Sequence, residues 1–204
     1  MHLLLLALAA QAGPLDKLVQ KAAGAGATSQ MDAVWRQQID AARAAAEARA
    51  GDPAALYGWL AALEGAVAAG LHTRGKLDHD ADVAPALAAV DGVAAKQPEA
   101  AGPMMESGAR LLWATDRHAD ADALARRSYA LWPSPGALKI QLAWVVETAP
   151  DTLGATCKSV RATAKTDIQV HNVLDQCFIA SGASDVDSGL AWASAADRAT
   201  YAAA

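Results

Sequence analysis

The run Ala125-Arg126-Arg127-Ser128-Tyr129-Ala130-Leu131-Trp132-Pro133-Ser134-Pro135 decides the fold class. A helix-forming stretch ends here between prolines, and a new one opens at once. Ser134 is the residue type that caps free helix amides, and Pro135 suits the first helical position, where no amide hydrogen is needed. Breaks recur at Pro150-Asp151, Thr166-Asp167 and Ser184. They divide the chain from Gly102 to Ala203 into three 34-residue windows, starting at Gly102, Gly136 and Val170. Each window reads as a helix, a short break and a second helix. Connections of a few residues make such neighbours antiparallel. Small residues recur at the eighth, twentieth and twenty-seventh places: Ala109, Ala121 and Ser128; Ala143, Ala155 and Ala162; Cys177, Gly189 and Ala196.

Composition points the same way. The chain has 204 residues, 53% of them hydrophobic, which is enough for a buried core. Ala dominates that fraction, so helix propensity is high while each buried side chain contributes little area. One Phe, three Tyr and six Trp leave the indoles to do much of the bulky packing. No β-branched run of strand length occurs, and the class is all-α. A net charge of −5 without any Lys/Arg cluster argues against nucleic acid, whose phosphates demand a basic stripe, and against an anionic membrane surface.

Upstream of the windows, residues 13–28 predict a weak helix that dissolves at Ala23 to Ala27, making 13–30 a flexible segment. Ser29 and Asp32 signal a fresh start, and a helix over 31–50 follows. Gly51 stops it, and Asp52-Pro53 opens a helix over 53–70. Leu71 to Asp82 lacks an apolar period and predicts a loop; a helix over 83–97 is then closed by Pro98. The expected organisation is N-terminal hairpins over 31–98 and repeated hairpins over 102–203.

The N-terminus reads as an export signal. Leu3 to Ala10 is apolar and too short to span a bilayer, and Ala10-Gln11-Ala12 is a small-x-small cleavage site. Cleavage is expected after Ala12, giving an address in the periplasm or outside a bacterial cell. The n-region carries His2 rather than Lys or Arg, and a buried first helix of a cytosolic protein is the alternative. Cys157 and Cys177 fall on consecutive predicted helices. In an oxidising compartment two cysteines point to a disulfide; otherwise they are two small buried thiols.

The 34-residue helix–turn–helix period with small residues at those places resembles the tetratricopeptide repeat, most closely over Ala125 to Pro133. The family's Tyr at the eleventh place is Leu112, Val146 and Ala180 here, and its closing Pro becomes Asp167 and Tyr201 in the later windows. The resemblance implies stacked antiparallel hairpins in a short α-solenoid, with an Ala-rich helical bundle as the alternative. It also implies that the first helix of each unit faces a groove that binds another protein or a peptide. The residues so placed are Glu106, Arg110 and Trp113; Ile140, Trp144 and Glu147; His171, Leu174 and Phe178. Trp and Arg are common interface anchors, although aromatics at helical spacing also serve as core.

Two acidic clusters invite a cation. Asp78-His79-Asp80-Ala81-Asp82 alternates like a calcium loop, yet has Val83 and Ala89 where the motif needs Gly and Glu. Asp116-Arg117-His118-Ala119-Asp120-Ala121-Asp122 falls in a hairpin turn, where carboxylates cap a helix start. No nucleophile elbow, His-Glu-x-x-His or glycine-rich phosphate loop is present. The expectation is a protein-interaction or scaffold module without cofactor, metal or catalysis. A structural or assembly bundle without a groove is the alternative, and an unrecognised enzyme or weak metal binder is the third reading.

Overall fold

The computed structural model describes residues 14–203, with side chains from residue 28 onward; the export signal and its cleavage site lie outside the described residues. Ten α-helices follow one another with no strand among the described residues: α1 Pro14–Ala48, α2 Pro53–Ala68, α3 Ala84–Ala94, α4 Pro98–Ala114, α5 His118–Leu131, α6 Pro135–Thr148, α7 Leu153–Thr163, α8 Asp167–Ser181, α9 Val186–Gly189 and α10 Ala195–Ala202. The chain is all-α. No helix among the described residues is long and apolar enough to cross a membrane.

α1 runs for 35 residues through the Ala-Gly stretch where a break was expected. Two glycines cost about 1 kcal/mol each in a helix, and the alanines around them favour continuation. Asp32 does not start a helix, because its carboxylate pairs instead with Arg74 at 2.5 Å. The exit from α1 is as the sequence predicts. Gly51 takes φ +88°, and the Asp52 side chain accepts the Ala54 amide at 3.0 Å ahead of Pro53.

The expected loop after α2 is anchored at both ends. Leu71, Leu77 and Val83 enter the core, and a π-helical turn, His79–Val83, leads into α3. Arg36 reaches over from α1 to hold it. The guanidinium donates to Asp82 at 2.6 and 3.0 Å and to the Lys76 carbonyl at 2.6 Å. Asp82 also accepts the Asp78 amide at 2.9 Å. Burial opposes ionisation of Asp82, but Arg36 and the Asp78 amide outweigh it and hold the carboxyl below its usual range.

Pro98 opens α4 rather than closing the helix before it, since a missing amide hydrogen is tolerated at the first helical position. The expected domain boundary at 98–102 therefore falls inside α4. One core continues across it, from Ile39 on α1 through Leu60, Val90 and Met104 to Ile140 on α6. α4 and α5 pack closely where side chains are smallest. A β-carbon on Gly108 would lie 3.0 Å from Leu124 Cδ2 of α5 and 2.6 Å from Leu87 Cδ2 of α3, and Ser128 donates to the Gly102 carbonyl at 2.8 Å. All three small positions of the first window are buried.

The later windows depart from that pattern. Ala155 and Ala162 on α7 are exposed, as is Ala196. The third window has no long second helix, only α9 and α10. A second core gathers Leu138 and Leu142 of α6 with Cys157, Val173, Leu174, Cys177 and Leu190. Cys157 and Cys177 are disulfide-bonded, with Cα atoms 6.1 Å apart, as expected for an oxidising compartment. Cys157 is the one fully buried residue of α7, so the bond is that helix's main tether to α8.

Two tests follow from these ties. Replacing Arg36 by Met should destabilise the fold by about 2 kcal/mol near neutral pH, a value discounted for the exposed side of the pair. Because the folded Asp82 carboxyl titrates below its unfolded value of about 3.9, the pair's contribution is complete above that pH and is lost as pH falls through the folded value. The gap in Tm between wild type and Arg36→Met should accordingly narrow below about pH 4, read by circular dichroism melts. Replacing both cysteines by Ser should cost about 3 kcal/mol for a loop of this length. Limited proteolysis of that variant should cut first within α7.

Candidate functional site

The candidate site is a trough between α4 and α6. α5 returns the chain between them, so α4 and α6 run parallel. Their side chains meet in register: Glu106 beside Gly136, Arg110 near Lys139 and Ile140, and His118, just past the end of α4, beside Glu147.

Glu106 sets the closed end. It is 8% exposed, and its carboxylate accepts a hydrogen bond from the buried Ser134 hydroxyl at 2.5 Å. Ser134 is also the cap of α6, accepting the Ala137 amide at 3.2 Å. Gly136 is required beside them, because a β-carbon there would collide with the Glu106 carboxylate. Arg110, one turn along α4, pairs with Glu106 and with Glu64 of α2 at 2.8 Å. Burial works against the Arg110 charge, but the two carboxylates more than offset it and hold the guanidinium above its ordinary value.

From this end a cavity of about 300 Å³ opens along the helices, lined by Arg110, Trp113, Gly136, Lys139, Ile140 and Ala143. Ile140 forms its floor and belongs to the core. Trp113 closes the cavity on one side and stacks on His118, with ring centroids 4.1 Å apart and planes within 8°. His118 Nδ1 donates to Glu147 Oε2 at 2.9 Å, tying the α4–α5 turn to α6. Beyond the stack lies a second cavity of about 330 Å³, where Trp144 and Glu147 face Asp116, His118 and Asp120. Asp116 takes φ 60° as the left-handed residue that ends α4, a conformation Asp accepts more readily than most side chains.

Of the nine residues expected along a groove, the structure brings six together: Glu106 at the closed end, with Arg110, Trp113, Ile140, Trp144 and Glu147. Both indoles are partly exposed rather than fully buried. The α8 residues line neither cavity. Leu174 is core, while His171 and Phe178 pack against Tyr201 of α10 at 5.6 and 5.7 Å between ring centroids. Phe178 also covers Gly189. Lys139, Gly136 and His118 were absent from the expected set. For the first two, the spacing of α6 was the available signal, since they flank Ile140 at one and four residues.

Most carboxylates of both acidic clusters are engaged in local bonding, and Asp80 and Asp116 stand in solvent. Asp78 caps the π-turn through the Ala81 amide at 2.7 Å, and Asp82 serves Arg36. Asp120 pairs with Arg117 at 2.7 Å and Asp122 with Arg126 at 2.9 Å. No group of three or more His, Cys, Asp or Glu is placed to hold a metal among the described residues.

The close seat of Glu106 is open to test. Gly136→Ala should destabilise by about 1–3 kcal/mol through overpacking. Adding Glu106→Ala should recover part of that loss in a double-mutant cycle, read by urea denaturation. No protein-family model matches the chain, and no match is found among curated proteins or solved structures.

Proposed function

We propose that this chain is an exported helical-repeat protein whose α4–α6 trough binds a segment of another protein, as an interaction or scaffold module in the envelope of a bacterial cell or outside it. The observation that carries the reading is the pairing of two partly exposed indoles, Trp113 and Trp144, on successive first helices around open cavities. Large apolar side chains left accessible beside a charged rim are typical anchors of protein interfaces. The contact of α4 with α6 and of α6 with α8 supports tetratricopeptide-like stacking of the first helices. The disulfide supports export, because such bonds persist in oxidising compartments. The reading assigns no reaction and no cofactor.

A second reading has its own support. The exposed small residues of α7 and the short α9 and α10 fit an Ala-rich bundle with a structural or assembly role, in which hairpins do not repeat.

Recovery of partners from an envelope extract separates the two. The oxidised wild-type chain should retain a specific protein that Trp113→Ala and Trp144→Ala each reduce at least about tenfold, the loss expected of an interface anchor. Equal recovery by wild type and both variants would remove the trough from the binding surface and leave the structural reading.

A further inference from the structure

The two ends of the trough differ in charge. At one end the carboxylates of Glu64 and Glu106 are both taken by Arg110, which leaves Lys139 exposed and without an ion pair among the described residues. At the other end Asp116, Asp120 and Glu147 outnumber Arg117, and the Asp116 side chain is fully exposed. Between the ends lie the apolar surfaces of Trp113, Ile140 and Ala143. Lys139 and Glu147 are eight residues apart on one face of α6, so the charges are separated by about 12 Å at a rise of 1.5 Å per residue. An extended peptide covers that distance in about four residues at 3.3 Å each.

We infer that the occupant is an extended segment of a partner protein carrying one carboxylate and one cationic side chain about four residues apart, with apolar side chains between them. The inference rests on the trough being the binding surface. The carboxylate of the segment meets Lys139, its apolar residues cover Trp113 and Ile140, and its cation lies among Asp116, Glu147 and the Trp144 ring. An indole face adds attraction for a cation held close to it. Charge at the rim of such a site selects among partners more than it adds affinity, because exposed pairs are screened. The apolar middle therefore supplies the binding and the two ends supply the choice.

The test is a titration of the full, oxidised chain with two capped pentapeptides, Glu-Ala-Leu-Ala-Lys and Lys-Ala-Leu-Ala-Lys, followed at the indole N–H resonances of Trp113 and Trp144. In extended form each peptide turns both end charges and the Leu to one face. The wild-type chain should bind the first peptide about fivefold more tightly, as expected when one exposed attraction is exchanged for a repulsion. Lys139→Glu makes both ends acidic and should reverse the order, a gain for the second peptide that an unfolded variant cannot produce. Equal binding of both peptides to the wild type, or an unchanged order in Lys139→Glu, overturns the inference. If those peptides are still lost on Trp144→Ala, the trough itself stands as a binding surface. Failure of both peptides to move either indole resonance also overturns the inference, and the interaction reading is then decided by partner recovery alone.

Discussion

Where α2, α4 and the start of α6 meet, a carboxylate has been taken almost wholly out of water. Burying a charge costs several kcal/mol unless partners replace its hydration, and Glu106 has those partners in Arg110 and the Ser134 hydroxyl. Each partner carries a second obligation. Arg110 reaches Glu64 on α2, and Ser134 caps α6. Gly136 completes the arrangement by leaving space where a side chain would stand. The spacing of α4 and α6 is set at this junction, and the trough that continues from it depends on that spacing.

Arg36 does a comparable job at the other side of the fold. The segment between α2 and α3 has no helical period, and its order comes from Arg36 bound to Asp82 and the Lys76 carbonyl, from Arg74 paired with Asp32, and from three apolar anchors. In both places an arginine satisfies acceptors from elements distant in sequence. An Ala-rich core has little area per residue to contribute. Polar junctions with defined geometry then carry much of the specificity, which methyl groups alone specify poorly.

What could be read from the sequence was what is locally encoded. Asp52-Pro53, Ser134-Pro135 and Thr166 mark helix starts in the structure because capping needs only residues within one turn. The disulfide was legible because two cysteines admit one pairing. The continuity of α1 through Ala23 to Ala27, and the role of Pro98 as an opener, were not legible: each depends on which neighbouring stretch is the better helix. The small-residue rhythm was sound in the first window, where Ala109, Ala121 and Ser128 are buried, and misleading on α7, whose alanines face solvent. At the candidate site the helical face of α4 gave Arg110 and Trp113, and that of α6 gave Trp144. His118 and Lys139 acquire their places only through the approach of α6 to the α4–α5 turn. His171 and Phe178 pack on Tyr201 of α10, a contact that the periodicity of α8 alone does not reveal.

Among the described residues, α6 is the helix that places buried side chains in both cores, while α5 reaches the second only through the half-buried Tyr129. Ile140 closes the first core, while Leu138 and Leu142 begin the second. The two cores thus share a wall, and the described residues have no seam along which they divide into independent halves. A cut before α6 strips the cover from the first core, and a cut after it strips the foundation from the second. A displacement of α6 by a few tenths of an ångström is felt on both sides at once, because close-packed interiors transmit strain rather than absorb it. A segment pressing on Trp144 would push on the same rod against which the disulfide-bonded end is packed.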